Sequence, residues 1–384
     1  MSDSAPGLYV GLISGTSADG IDAALCSFEP SPTLLHAHTR PWPETLRRQI
    51  LDIAQSTGPI DLDVLGRLDV AVGRCFADAV HALLKEAGTA PEAVRAIGSH
   101  GQTLRHRVDG PEPFTLQVGD PSVIAENTGI DTVADFRRAD VAAGGQGAPL
   151  MPAFHAAVMA SPQVVRGVLN LGGIANLSVL HADGTVTGFD TGPANGLMDA
   201  WSMHVQNEPC DRDGEMAARG RVNTDLLKRL LDDPYFTLAA PKSTGREYFH
   251  LDWLRQRVDV TAMAAEDVQA TLLALTVRTI ADAVEREGHA IGEVVACGGG
   301  VHNRILMDAL ARALAPRKLS SSAELGVDPD HVEAMGFAWL AWRRLRGEPG
   351  NLPSVTGASG PRLLGAVHAA PRALHVSSEG LRAS

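Results

Sequence analysis

No lysine precedes Lys85. A P-loop closes its glycine turn with Lys-Ser or Lys-Thr and then opens a helix, so the glycine-rich stretch near the N-terminus is not one. Positive charge is also short overall: 33 Lys and Arg stand against 45 Asp and Glu, a net charge of −12. That argues against the broad basic face of a nonspecific nucleic-acid binder. It leaves room for a phosphorylated ligand, which needs only local donors. Cysteine is sparse, with Cys26, Cys75, Cys210 and Cys297 far apart and none in a CxxC or Cys/His spacing. A structural zinc site is therefore not expected, and free thiols fit a reducing compartment. The opening Met-Ser-Asp-Ser-Ala-Pro has no basic leader region, and no apolar run is long enough to span a bilayer. The expectation is a soluble, cytoplasmic protein with neither membrane nor nucleic acid as partner.

What the chain does contain is enough apolar residue, 45% of 384, for a sizeable core. At roughly 150 residues per domain the length favours two domains. The organising stretch is Gly11-Leu-Ile-Ser-Gly-Thr-Ser-Ala-Asp-Gly-Ile-Asp22. Leu8 to Ile13 reads as a buried strand, Ser14 to Gly20 as a turn, and Ile21 to Phe28 as a second strand. Glycines let backbone N–H groups approach an anion, and hydroxyls add donors. A strand–turn–strand with such a tip suggests a phosphate-gripping hairpin; an ordinary hairpin turn is the alternative.

Helical spacing follows over Glu44 to Ala54 and Asp63 to Ala87, with Gly88 as cap. Val94 to Ser99 reads as a strand, and His100-Gly-Gln-Thr-Leu-Arg-His106 as a polar segment after it, either a solvated loop or a ligand-facing one. Phe114 to Val118 and Asp131 to Ala134 read as strands, Ser122 to Thr128 as a short helix. In Asp135-Phe-Arg-Arg-Ala-Asp140, Arg137 or Arg138 either grips an anion or makes a surface ion pair. The loop Val141 to Pro149, rich in glycine, is either mobile or close to a ligand.

The opening pattern then repeats about 160 residues later: strand Val164 to Leu169, turn Asn170-Leu-Gly-Gly-Ile-Ala-Asn176, strand Leu177 to Leu180. Two such hairpins suggest related halves facing each other across a cleft. Asp190 ends a short strand before Thr191 and a glycine. There it serves as a base or holds a metal-bound water, or else caps the helix at Gly196 to Trp201. Thr224 to Leu231 and the amphipathic Asp267 to Arg286 read as helices, and Pro241 to Phe249 between them as a polar loop without an evident role. Val294 to Cys297 is a buried strand, and Gly298-Gly-Gly-Val-His-Asn-Arg304 opens a helix over Ile305 to Ala315. Three glycines there let a nucleotide lie on the backbone, although Asn303 stands where GxGxxG needs a glycine. Glu333 near the start of the helix Val332 to Ala341 either favours the helix dipole or faces a ligand.

Together these segments resemble a known family. The paired hairpins, the Asp-Thr-Gly segment and the late glycine trio resemble the fold shared by actin, Hsp70 chaperones and sugar kinases. Within it, Gly15-Thr-Ser-Ala-Asp-Gly-Ile-Asp22, Ser99-His-Gly-Gln102, Asp135-Phe-Arg137, Gly144-Gly-Gln-Gly-Ala-Pro149, Asn170 to Asn176, Phe189 to Asn195 and Cys297 to Asn303, in this order, resemble the anhydro-N-acetylmuramic acid kinases. The resemblance runs from about Gly7 to Gly357. It implies an α/β protein of two actin-like (ribonuclease H-like) domains of mixed sheet plus helices, facing across a cleft, with boundaries at 1–160 plus 345–384 and 161–344. It implies ATP and Mg²⁺ as cofactors, 1,6-anhydro-N-acetylmuramic acid as substrate, N-acetylmuramic acid 6-phosphate as product, and a homodimer.

Carried onto this sequence, the resemblance makes Asp190 the base. It gives Gly15, Thr16, Ser17, Ala18, Asp19, Gly20, Ile21, Asp22, Asn170, Gly172, Gly173, Gly298, Gly299, Gly300 and Asn303 to the nucleotide. His100, Gln102, Arg137, Asn195 and Glu333 go to the sugar. One departure stands out: the superfamily's usual acidic residue on the first strand is replaced by Leu12 and Ile13, so Asp19 and Asp22 become the nearest metal candidates. The competing expectations are a kinase of the same fold acting on an ordinary sugar hydroxyl, and an ATP-gated chaperone-like or filament-forming protein.

Overall fold

The computed structural model describes residues 7–371 apart from 16, 57, 241, 246, 247 and 288–290. The chain divides into two compact units. One gathers the chain up to Arg138, Phe337–Glu348 and the stretch from Leu364; the other holds Ala139–Gly336 and Pro349–Leu363.

The first unit is built on a mixed sheet. Strands β1 (Leu8–Ser14), β2 (Ile21–Ser27) and β3 (Thr33–Arg40) run as an antiparallel meander, and β4 (Val94–Arg107) and β6 (Thr132–Ala134) continue parallel beyond β1. The order is β3-β2-β1-β4-β6, with Ala366–His368 closing the far edge and β5 (Phe114–Val118) pairing with the second half of β4. β1 is apolar and buried nearly throughout, as a strand covered on both faces must be. Helices α1 (Glu44–Gln55), α2 (Leu62–Glu86) and α3 (Pro121–Thr128) accompany this sheet. α2 starts where the Asp61 carboxylate accepts from the Asp63 N–H and ends before Gly88 in the left-handed region, the usual polar start and glycine stop. Its apolar stripe, Leu68, Val72, Phe76, Val80 and Leu83, is buried with Val10, Leu12, Ile21, Leu25 and Ile97 in one cluster.

The expected loop at His100 to His106 is instead the second half of β4, because β5 supplies an antiparallel partner for its backbone groups. The strand changes partners at a bulge. Leu12 faces Ser99 but Ser14 faces Gln102, so three steps on β4 match two on β1, and Gly101 at φ +76° takes up the extra residue.

The second unit repeats the wiring. β7 (Val165–Leu171), β8 (Ile174–Leu180) and β9 (Val186–Pro193) form the antiparallel meander, and β10 (Ile291–Cys297) and β11 (Lys318–Ser321) run parallel beyond β7, in the order β9-β8-β7-β10-β11. Direction for direction this is the order of the first sheet. The repeat expected from the two glycine hairpins is therefore a repeat of topology, and the ribonuclease H-like α/β class holds in both units.

Helices α4 (Arg138–Ala142), α5 (Met151–Met159), α6 (Asn195–Gln206), α7 (Glu215–Arg219), α8 (Thr224–Leu231), α9 (Leu251–Arg257), α10 (Ala265–Arg286), α11 (Arg304–Leu314), α12 (Val332–Leu345) and α13 (Pro353–Thr356) complete the described helices. Leu272, Leu275 and Ile280 of α10 share a buried cluster with Leu177 and Phe189 of the sheet, as its amphipathic pattern predicts. The turn expected to span Asn170 to Asn176 is only Gly172–Gly173, since both flanks are strand.

Candidate active site

In the first unit the β1–β2 turn is gripped from several sides. The Gln102 amide donates to Gly15 O at 3.1 Å, Arg47 Nε donates to Ala18 O at 2.9 Å, and the Trp42 indole donates to Ser14 Oγ at 3.1 Å. Ala18 is buried at φ +49°, a left-handed conformation that a short residue tolerates at a tight tip. Gly15 and Asp19 are exposed and Ser17 is half-buried, whereas Ile21 is a core side chain. Asp19 pairs with Arg47 at 3.4 Å, and Asp22 accepts from the Thr39 hydroxyl at 2.5 Å. Thr16 lies outside the described residues.

His100, at the bulge of β4, is buried. Arg137 donates its Nε–H to His100 Nε2 at 2.9 Å, which leaves Nδ1–H to donate to Gly101 O at 2.9 Å. Burial, and then the Arg137 charge, hold its pKa well below the ordinary histidine value. A neutral imidazole is thus the acceptor that orients Arg137. Arg138 is the exposed arginine and pairs with Asp135 at 3.5 Å.

In the second unit the glycine trio packs against the end of β7. A Cβ on Gly298 would lie against Asn170 Oδ1 and 3.0 Å from the Leu171 carbonyl carbon, and Gly298 itself sits at φ +81°. Only glycine fits there. Around Gly299 the space is open to 4 Å, so a ligand can approach that backbone. Asn195 donates to Leu171 O at 2.8 Å, and its own N–H donates to Gly172 O at 3.0 Å. Gly173 O accepts from the N–H groups of Ala194 and Gly196. Asn170 donates to Glu333 Oε1 at 3.4 Å, and Glu333 also helps push up the buried Cys297 thiol, after burial itself. The fold therefore gathers Asn170, Gly172, Gly173, Asn195, Gly298, Gly300 and Glu333 at one end of this sheet. Asn303 spends its side-chain oxygen as the N-cap of α11, accepting from the Leu306 N–H at 3.0 Å.

Asp190 stands at a second bulge. Ala175 faces Gly192 while its neighbour Asn176 faces Asp190, so Thr191 is the extra residue. The cap position of α6 is Ala194, so Asp190 is not a helix cap. Three bonds fix it instead: its N–H donates to Lys242 O at 3.1 Å, its carbonyl accepts from the Tyr235 hydroxyl at 2.7 Å, and its Oδ2 accepts from the Thr244 N–H at 2.9 Å. Lys242 donates to Tyr235 O at 3.0 Å and lies 4.5 Å over the Tyr235 ring. These three residues escaped the sequence reading, since the polar loop that holds two of them carries no pattern tying it to a strand some fifty residues earlier.

The glycine-rich loop at 144–147 is tied down by a fully buried carboxylate. Asp140 accepts from the Gly147 N–H at 2.8 Å, Asn351 at 2.6 Å and the Thr356 hydroxyl at 2.7 Å. A cavity of about 720 Å³ among α7, α8, α10 and α11, lined by Ala217, Leu227, Ala274 and Arg278, contains none of the residues expected in the site.

The family model described as anhydro-N-acetylmuramic acid kinase matches residues 7–370. The chain belongs to that family. Curated relatives named anhydro-N-acetylmuramic acid kinase are 54% identical in Xanthomonas campestris pv. campestris strain 8004 (94% of this chain, 97% of the relative), 54% in Xylella fastidiosa strain Temecula1 (94% and 96%) and 50% in Shewanella halifaxensis (94% and 98%). All seven segments that resemble the kinase family lie inside the matched residues.

Proposed function

We propose that the chain is an ATP-dependent kinase that opens 1,6-anhydro-N-acetylmuramic acid with water and phosphorylates O6, yielding N-acetylmuramic acid 6-phosphate and ADP in peptidoglycan recycling. Membership of the kinase family over nearly the whole chain carries this reading. In the substrate O6 is locked in the anhydro bridge, so the 6-hydroxyl is not free to accept phosphate until the bridge opens. Water attacks the anomeric carbon, its proton passes to the Asp190 carboxylate, the C1–O6 bond breaks and O6 becomes the phosphoryl acceptor.

Asp190 suits the base role because a bulge aims it and the Thr244 N–H holds one of its oxygens. The open face of Gly299, between Gly298 and Gly300 packed on the end of β7, suits a nucleotide. Arg137, oriented by neutral His100, suits an anionic group such as the sugar's lactyl carboxylate. Asp19 in the tip and Asp22 near the start of β2 suit Mg²⁺, which takes one or two carboxylates and otherwise phosphate oxygens or water. When bound, the nucleotide would supply the γ-phosphoryl group to O6 and leave as ADP, and the ion would offset the developing charge. Among the described residues no helix is long and apolar enough to cross a membrane; a cytoplasmic homodimer is part of the proposal, to be checked by sedimentation.

A coupled ADP-release assay with the anhydro sugar, its open form and no sugar tests the function. Turnover confined to the anhydro sugar is expected. Preferential turnover of open N-acetylmuramic acid would move the protein to kinases of ordinary hydroxyls.

A further inference from the structure

The three bonds on Asp190 close into a ring through a side chain that no catalytic role yet uses. The strap at 242–244 binds Asp190 from two sides, through Lys242 O and the Thr244 N–H. Tyr235 binds it from a third, through its hydroxyl. Strap and tyrosine are joined by the Lys242 ammonium, which donates to Tyr235 O and covers the Tyr235 ring. Tyr235 is anchored in turn: its N–H donates to the buried Asp233 carboxylate at 2.8 Å, which also accepts from the Trp253 indole at 2.8 Å and the Tyr248 hydroxyl at 3.0 Å and pairs with Arg257. The far end of the loop is thus pinned to the same carboxylate through Tyr248.

We propose that Lys242 is a positioning residue for Asp190: its ammonium clasps the strap to Tyr235 and so fixes the direction of the Asp190 carboxylate. The inference rests on the reading of Asp190 as the base. A base acting on one water must hold one oxygen toward it within a few tenths of an ångström, and the Thr244 N–H fixes the other oxygen, Oδ2, from the strap. The strap provides that hold, and Lys242 is the group through which a side-chain change reaches it.

The clasp is also titratable. The charged and titratable groups facing Lys242 are Tyr235, Asp190 on β9 and Arg286 on α10. Burial and then Arg286 pull the ammonium down to about 8, against the opposing attraction of Asp190. As pH rises through that value the ammonium loses its proton and, with it, its charge over the Tyr235 ring and its full donor strength toward Tyr235 O. Turnover should therefore fall on the alkaline side.

The test compares Lys242→Met and Lys242→Arg with the wild-type enzyme. In K242M, kcat is expected to drop tenfold to a hundredfold with the KM for ATP unchanged, since Lys242, Tyr235 and Thr244 are not among the residues assigned to the nucleotide. In wild type, kcat falls above pH 8. In K242R, whose guanidinium stays protonated, kcat is largely restored and that alkaline limb is gone. Wild-type kcat in K242M would overturn the proposal, and so would an alkaline limb that persists in K242R, a result that stands even if K242M fails to fold. Asp190→Asn separates the two layers. Turnover in that variant removes the base reading itself, whereas an inactive D190N beside a normal K242M removes only the clasp.

Discussion

The first unit's hairpin has a long tip, Gly15 to Gly20, held by side chains arriving from elsewhere: Gln102, Arg47 and Trp42. The second unit's hairpin has a tip of two residues, Gly172 and Gly173, held by backbone donors of α6. Both join the first two strands of a sheet with the same order and directions. The bulges differ in the same manner. In the first unit the fourth strand bulges at Gly101 and turns the neutral His100 toward Arg137. In the second the third strand bulges at Thr191 and presents the acidic Asp190. One wiring thus carries two sets of groups: Asp19, Asp22 and the Arg137 guanidinium in one copy, Asp190, Glu333 and the glycine trio in the other. The proposed function rests on the tips and bulges, where an extra residue is tolerated, while the ladders stay alike.

The largest effect expected from breaking this contrast is at the acidic bulge. Asp190→Asn keeps an oxygen for the Thr244 N–H, so the local bonds survive while the carboxylate proposed as the base is lost. Turnover should fall by roughly a thousandfold or more with nucleotide affinity nearly unchanged, read by ADP release and by equilibrium titration. Wild-type rates would take the second unit's acidic chemistry away from this residue.

The next effect sharpens the role of the glycine trio that packs on the end of β7. Gly298→Ala forces a Cβ against Asn170 and Leu171 in a left-handed conformation. It should cost about 1–3 kcal/mol of stability and raise the KM for ATP. Gly299→Ala meets open space and should leave the melting temperature unchanged, whereas Gly299→Leu fills that space and should raise the KM for ATP alone. An unchanged KM in both Gly299→Leu and Gly298→Ala would place the nucleotide away from the trio.

Much of this arrangement was legible in the residues. Apolar runs marked β1, β2, β7 and β10, and the cap signals marked α2. What escaped is physically of one kind. β3 is an edge strand, half polar and half exposed, and so has no hydrophobic signature. The second half of β4 is polar and becomes strand only because β5 lies beside it. Arg137 and Arg138 look equivalent until His100 selects one of them. Asp140 looks like a solvated acid until the loop it holds closes over it. Thr244 and Lys242 matter only because the chain returns to β9. For Arg137, Thr244 and Lys242 the deciding partner is distant in sequence, where periodicity carries no information.

The smallest expected effect concerns stability, and it uses one buried histidine from each unit. His155 on α5 is fully buried, with Nδ1 3.2 Å from Ser178 Oγ, and burial lowers its pKa to about 4. His100 is lowered too, by burial and then by Arg137. Unfolded, each titrates near about 6.5. Above that value both states are neutral and the histidines add no pH dependence. Below it the unfolded chain takes up a proton that the folded one refuses, so stability falls as pH falls, for His155 down to about pH 4. The shift corresponds to at most roughly 3 kcal/mol across that window. His155→Gln, which keeps a polar partner for Ser178, should flatten the decline in unfolding free energy between pH 7 and pH 4.5. His100→Asn should flatten it in the same direction and also weaken sugar binding, because the Arg137 Nε–H loses its ring acceptor. Equal slopes in wild type and H155Q would mean that the α5 histidine is protonated in the folded state. Equal sugar KM in wild type and H100N would mean that the bulge in the first unit does not serve Arg137.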